Sequence, residues 1–192
     1  LGPILDNLLG DLPAESALET ALLELDIPAG LTVVDMPTPQ SVAIFGHEGI
    51  DRDHPDFFAA FILNTILGGQ GIESRLTAEV REKRGLTYGI STVLISKDRA
   101  NVMLGQVASA NDRIGAAIEV IRDEWNKLAR DGVTAEELQA AQTYLTGAYP
   151  LRFDGNSQIA RILVGMQRQG LGLDYINTRN AKINAVTLSE IN

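Results

Sequence analysis

The sequence predicts the α+β fold class, as an antiparallel sheet with helices packed on one face. Strand-like segments come first, followed by helical patterns, a hairpin and further helical patterns, so strands and helices do not simply alternate. This order is typical of a sheet covered on one face and argues against parallel βαβ winding. The 192 residues, 45% hydrophobic and 21% charged, suffice for one domain with a buried core.

The N-terminal elements are a predicted helix tail and two strands. LGPILDNLLG (1–10) is interpreted as the end of a helix that stops at Gly10, and a connector then runs through Gly30. LTVVDM (31–36) and QSVAIFG (40–46) have the branched, apolar composition of strands. Pro-Thr-Pro places a turn between them.

Two helices are predicted after a loop at 47–53. The first has apolar residues at helical spacing from Phe57 onward and stops at Gly68-Gly69. The second runs from Ile72 to Gly85 and ends in a cationic last turn, which the helix dipole favours. The apolar stripe of this second helix is predicted to be Ile72, Leu76 and Val80.

A hairpin and a long helix follow. Segments 86–96 and 101–109 alternate in the manner of strands, and KDRA (97–100) joins them. Asn111 is predicted to cap the next helix, which Asp131-Gly132 closes.

The C-terminal third is predicted to be helical. A capping box at 134–137 starts a helix that Tyr149-Pro150 ends or interrupts. Helical patterns cover 156–170 and 174–185. A second capping box at 187–190 opens a helix that the sequence does not continue, so we expect a fragment cut at both ends.

Composition excludes several classes of function. The net charge of −9, with one short basic cluster at 81–84, argues against a nucleic-acid surface. The absence of cysteine excludes disulfides, thiolate catalysis and Cys-ligated zinc, but does not decide the compartment. The most apolar run, 57–69, is shorter than a membrane span, and we expect a buried helix there.

Two motifs suggest ligand sites but favour ordinary structure. GHEGIDRDH (46–54) holds both histidines, yet Asp51 stands where a helical zinc motif needs its second imidazole. Its glycines and His54-Pro55 break a helix, so we interpret the stretch as a solvated loop that leads to a helix N-terminus. GGQG (68–71) joins two helices rather than a strand and a helix, which favours a tight connection over a phosphate-binding loop.

REKRGLTY (81–88) allows two interpretations. An Arg at a helix end and a Tyr near a strand could converge on one carbonyl and stabilise a developing oxyanion. Alternatively, Arg81 and Arg84 are solvated cations and Tyr88 belongs to the core with its hydroxyl at the surface. The pattern alone favours the second interpretation.

Nearly the whole chain from Leu31 onward resembles one family, the inverted-motif zinc metallopeptidases. This family includes pitrilysin, insulysin, the mitochondrial processing peptidase and shorter bacterial relatives. The resemblance rests on five segments: PTPQSVAIFG (37–46), LGGQGIESRL (67–76), REKRGLTYG (81–89), VTAEELQAAQTYLTGAYPLRF (133–153) and VTLSE (186–190).

The resemblance implies two halves with different roles, which face each other across a cavity. Zinc is bound by the N-terminal half through His-x-x-Glu-His and a distant Glu, a motif that this chain lacks. The chain resembles the C-terminal half, which contributes an Arg and a Tyr spaced as Arg81 and Tyr88. Tyr88 would donate to the oxyanion and Arg81 would hold the peptide, which reverses the preference stated above. Arg84 is the alternative, nearer Tyr88 but off the family's spacing.

The resemblance also implies domains and partners. Residues 1–30 would be the tail helix of a missing N-terminal half plus a linker, and 31–192 the peptidase-family domain, truncated at its C-terminus. We expect no metal in this fragment, with zinc in the missing half or a partner subunit. Expected partners are a peptide substrate and that zinc-bearing half; a homodimer is a further arrangement. The resemblance favours the bacterial periplasm over the cytoplasm.

Three hypotheses about function stay open. The first is the substrate-clamping half of a zinc endopeptidase. The second is an inactive companion subunit or a structural core protein of the same family, since some members have lost the metal motif. The third is a free-standing binding module.

Overall fold

The computed structural model describes residues 1–15, 26–71, 73–97 and 100–192. Its strands are β1 (Gln40–Glu48), β2 (Ile90–Ser96) and β3 (Asn101–Ala110). Its α-helices are α1 (Gly2–Leu9), α2 (Phe57–Gly68), α3 (Ile114–Asp131), α4 (Ala135–Ala148), α5 (Asn156–Arg168), α6 (Tyr175–Ala185) and α7 (Leu188–Ile191). A π-helix covers Thr77–Glu82 and a 3₁₀ turn covers Pro150–Arg152.

The three strands form an antiparallel sheet in the order β1-β3-β2. Burial alternates along each strand, as expected when one face of a sheet packs on helices. The covered face includes Met103 and Val107, which are buried. The opposite face exposes apolar side chains, namely Val42, Ile44, Val93 and Leu104. The predicted fold class is therefore confirmed.

The hydrophobic core lies between this sheet and the helices α2, α3, α4 and α6. Apolar side chains on one face of each of these helices supply it, together with Leu76 and Val80 of the predicted stripe. Its fully or nearly fully buried members include Ile62, Leu67, Leu76, Val80, Val107, Ala117, Ile121, Leu138 and Ile183.

The predicted strand at 31–36 is wrong. These residues have no regular secondary structure and are exposed, with Val33 79% accessible. Their β-branched composition fits a strand, but strand formation also needs a hydrogen-bonded neighbour. Within the described part of the chain, β1 pairs with β3 alone.

The predicted loop at 47–53 is wrong at its start, because β1 extends through His47 and Glu48. β3 is long enough to pair with both residues, at Met103 and Val102. Gly46 does not break the strand: a Cβ there would lie 2.1 Å from the Met103 carbonyl oxygen, so glycine permits close approach of the two backbones.

Three further boundaries differ from the prediction. The helix expected from Ile72 takes the π form over Thr77–Glu82, and Ile72 itself lies outside the described residues. β2 begins at Ile90 rather than at 86. α3 begins at Ile114, and Asn111 does not cap it; the Asn111 side chain instead binds Ser41 Oγ and the Thr38 carbonyl.

The strands of the predicted hairpin form, but Asp98 and Arg99 in its turn lie outside the described residues. So do residues 16–25 of the predicted connector. Both capping boxes form at Thr134 and Thr187, and the second starts the one-turn helix α7. Among the described helices, none combines the length and apolar composition needed to cross a bilayer.

Candidate functional site

Tyr88 lies at the surface, immediately before β2. Tyr88 is 94% exposed, whereas its neighbour Thr87 is buried. The hydrophobic alternation predicted over 86–96 would have turned Tyr88 toward the core, but the strand starts only at Ile90. The phenol is therefore presented to solvent.

Arg81 lies in the last turn of the π-helix and next to Tyr88. Its Cζ is 5.7 Å from the centroid of the Tyr88 ring, which is within the range of a cation–π contact. Its Nε is also 3.2 Å from Glu82 Oε1, in an ion pair that is half-exposed on both sides and contributes little to stability. The structure thus brings the two predicted residues together on one surface.

Arg84, the alternative, is held elsewhere. Its Nη1 donates to the Glu79 carboxylate and, at 2.8 Å, to the Glu79 carbonyl oxygen. Lys83 donates to the same carboxylate. Hydrogen bonds from Lys83 and Arg84 lower the pKa of Glu79 from 4.5 to about 2. The Glu79 carboxylate thus ties Arg84 to the helix and leaves Arg81 as the cation beside Tyr88.

Replacing Glu79 with Gln should lower the free energy of unfolding by about 1 kcal/mol at neutral pH, the upper range for surface ion pairs. Because folding lowers the pKa of Glu79, its contribution is present above pH 4.5 and is lost as the pH falls from 4.5 to about 2. The stability difference between the two proteins should shrink over that window in urea titrations. Glu119→Gln, which removes an exposed carboxylate on α3, is the matched control. A pH-independent difference would contradict this role.

The backbone before β2 is fixed by buried hydroxyls. The Thr87 hydroxyl accepts from Gly89 N at 3.1 Å and lies within hydrogen-bond distance of the Ala108 carbonyl oxygen. Ser109 Oγ donates to the Leu86 carbonyl oxygen. These contacts tie Leu86 and Thr87, which precede Tyr88, to the end of β3 and tie Gly89 to Thr87. The sequence contains no signal for Thr87 or Ser109, because their partners, Ala108 and Leu86, lie more than 20 residues away along the chain.

The π-helix is anchored at its start by Arg75. This side chain makes two parallel hydrogen bonds to Glu137, at 2.6 and 2.7 Å, and a third to the Gly132 carbonyl oxygen at 2.9 Å. Such paired Arg–carboxylate contacts fix geometry well. The hydrogen bond from Arg75 lowers the pKa of Glu137. π turns frequently occur at functional sites, and here one carries Arg81.

The arrangement presents a neutral donor and a cation side by side. A phenol hydroxyl and a guanidinium can both donate to a carbonyl oxygen that gains negative charge. Neither side chain is enclosed, so a ligand would have to be held against this surface from the opposite side.

The two histidines lie in different environments. His47 packs edge-on against Trp125 with ring centroids 5.6 Å apart, and His54 Nδ1 accepts from Asp56 N at 3.1 Å. Within the described ranges, no group of three or more His, Cys, Asp and Glu side chains is placed to hold a metal ion. The residues described here therefore do not fit a zinc site.

Comparison with known proteins identifies relatives over most of the chain. Residues 3–145 match the family model described as the peptidase M16 inactive domain. The chain is 27% identical to the uncharacterized zinc protease YmxG of Bacillus subtilis, over 81% of this chain and 38% of that protein. It is 25% identical to the non-peptidase homolog YmxG of Helicobacter pylori, over 98% of this chain and 44% of that protein.

A solved structure shows the same fold. The crystal structure of a peptidase M16 inactive domain from Pseudomonas fluorescens superposes with a TM-score of 0.72 at 29% identity, over 81% of this chain and 37% of that chain. The chain thus spans less than half the length of each of these three relatives.

Proposed function

This chain belongs to the peptidase M16 inactive-domain family, and from that premise we propose that it is the substrate-clamping half of a zinc metalloendopeptidase. In this proposal it closes a cavity against an N-terminal half, on the same chain or on a partner subunit, and the peptide is held between the two. Residues 1–30 then contain the tail helix of that half and the linker to it. The periplasm remains the predicted compartment.

The observation that supports this proposal is the exposed Tyr88 beside Arg81. When water attacks a peptide carbonyl, the carbonyl oxygen gains negative charge. A Tyr88 hydroxyl directed at that oxygen stabilises the charge more than it stabilises the ground state, and this difference is what accelerates the reaction. Arg81 holds the peptide through a backbone carbonyl and favours negative charge nearby.

Zinc and the general base belong to the other half in this proposal. The described residues contain no ligand cluster, and the sequence lacks His-x-x-Glu-His. The exposed position of Tyr88 agrees with a site that needs a second wall. A homodimer would supply such a wall only if each full-length chain carries a zinc-bearing half.

A second candidate function is that of a non-catalytic companion. The Helicobacter pylori relative is named a non-peptidase homolog. The match to it covers 98% of the chain described here. In that case a separate zinc-bearing chain would perform hydrolysis, and this protein would supply Arg81 and Tyr88 across the interface.

Hydrolysis of a quenched fluorescent peptide library by the full-length protein separates the two candidates. The first candidate predicts cleavage that a chelator abolishes and zinc restores, with none from residues 1–192 alone. Failure of the full-length protein to cleave, together with stimulation of a separate zinc-bearing chain, would favour the companion. Chelator-resistant cleavage would contradict both.

A further inference from the structure

A cavity of about 360 Å³ lies between the start of α2 and helices α5 and α6. Its volume is within the range of small-ligand pockets, about 300–1,000 Å³. Four arginines line it: Arg52, Arg152, Arg161 and Arg179. No Asp or Glu is among its lining residues, although the chain carries a net charge of −9. None of its lining residues comes from the segment that carries Arg81 and Tyr88.

Arg179 is the buried cation of this cavity, at 7% exposure. Its Nη1 donates to the Leu145 carbonyl oxygen and to Asn180 Oδ1, both at 3.2 Å. Within the described ranges, Arg179 forms no ion pair, and its Nε and Nη2 have no hydrogen-bond acceptor, yet neither nitrogen is fully enclosed. Arg179 is one of the residues that line the cavity, so an anion bound there would lie near its guanidinium group.

A buried charge without a counter-ion is costly. Burial is the main cause that lowers the pKa of Arg179, and the positive charges of Arg152 and Arg52 lower it further. The Arg179 Cζ lies 4.3 Å from the centroid of the Tyr149 ring, which offsets part of this cost. An anion in the cavity would relieve the remaining repulsion.

Arg52, a second lining residue, is held in place by two contacts. Its Nη2 donates to the Tyr175 hydroxyl, and its Cζ lies 4.1 Å from the centroid of the Phe57 ring. Both contacts reduce the freedom of the guanidinium before a ligand binds, which is the condition for a preorganised site. Arg152 and Arg161 are exposed and form the accessible rim.

The rest of the lining is largely apolar and aromatic. It includes Phe58, Phe61, Ile162, Met166 and Leu171. A bare inorganic anion would leave these side chains without a partner. A ligand that joins an oxyanion to an apolar group would use both parts of the cavity.

We propose that this cavity binds the carboxyl terminus of a peptide that ends in an apolar residue. The terminal carboxylate lies against Arg179 and Arg52, and the last side chain lies against the apolar wall. Arginine suits this role because its planar fork matches a carboxylate. This inference goes beyond the function proposed above and holds whether or not the protein takes part in hydrolysis.

The test is calorimetric titration of the full-length protein with N-acetylphenylalanine, with its carboxamide and with inorganic phosphate. At the binding free energy per non-hydrogen atom that is usual for small ligands, N-acetylphenylalanine should bind with a Kd of about 1 mM. The carboxamide should bind about tenfold more weakly, because it lacks the charge that pairs with the guanidinium groups.

Variants at the rim keep the test independent of folding, since substitution of the buried Arg179 could unfold the domain. Arg152→Gln and Arg161→Gln should each weaken binding of N-acetylphenylalanine by about fivefold or more. Arg168→Gln is the matched control, on α5 like Arg161 but outside the cavity lining. This control should leave binding unchanged.

Three outcomes would overturn the proposal. The first is no binding of N-acetylphenylalanine at about ten times the expected Kd. The second is equal binding of acid and carboxamide, or of acid and phosphate. The third is equal weakening by all three Arg→Gln variants, which would indicate a general charge effect.

Discussion

Replacing Tyr88 with Phe in the complete protein should lower kcat for peptide hydrolysis by about 10²- to 10³-fold, the usual effect of removing one oxyanion donor. The change removes only a hydroxyl group, and the side chain is almost fully exposed. The stability of the domain should therefore not change. KM should change little, because the lost hydrogen bond forms mainly in the transition state.

Tyr144→Phe is the control for this experiment. This variant also removes a phenol hydroxyl. Tyr144 lies on α4, far from Arg81 and Tyr88 in the sequence, and its hydroxyl donates to the Gln70 carbonyl oxygen at 3.3 Å. Its kcat should equal that of the unmodified protein. Unchanged turnover in Tyr88→Phe would remove Tyr88 from the chemistry.

The largest expected effect on stability is that of Leu76→Ala. Leu76 is 0% exposed and lies in the main core at the start of the π-helix. Truncation removes apolar contacts and leaves a cavity that close packing cannot fill, at a cost of about 2–5 kcal/mol. The measurement is the free energy of unfolding from urea titration.

Leu151→Ala provides the comparison, since Leu151 is 78% exposed. It should change the free energy of unfolding by no more than about 0.5 kcal/mol. A similar small effect for Leu76→Ala would show that the segment carrying Arg81 is not fixed by the core.

The sequence predicted the core well, because hydrophobic periodicity reports directly which face of a helix or strand is buried. Leu76 and Val80, which spacing alone predicts to share one helical stripe, are both fully buried. Capping boxes at Thr134 and Thr187 were also confirmed, since they depend on contacts within four residues.

Features that depend on distant partners were not predictable in the same way. Residues 31–36 have the composition of a strand but lack a strand beside them in the described structure. β1 continues through His47 because β3 extends far enough to pair with it. The π form of Thr77–Glu82 leaves no mark on hydrophobic spacing, because its buried residue, Val80, also fits an α-helical stripe.

The candidate site was predicted only through the family resemblance, which the match to the inactive-domain model confirms. Residue pattern alone favoured a core position for Tyr88. Its exposure follows from the buried contacts of Thr87, which hold the backbone outside the strand. The choice of Arg81 over Arg84 follows the family's spacing, and the structure adds the ion pair that holds Arg84.

The arginine-lined cavity could not be found from the sequence. Arg52 and Arg179 are far apart along the chain, the first in the loop before α2 and the second on α6. Their convergence depends on how α5 and α6 pack near α2 and the Tyr149 turn, which is a property of the tertiary fold.

The most direct test of the central claim is a crystal structure of the full-length protein with a phosphinic peptide that mimics the tetrahedral intermediate. The account predicts Tyr88 Oη within about 2.7–3.1 Å of a phosphinate oxygen, with Arg81 at the adjoining peptide backbone. A phosphinate bound in the other half, with Tyr88 and Arg81 facing solvent or another surface, would contradict it.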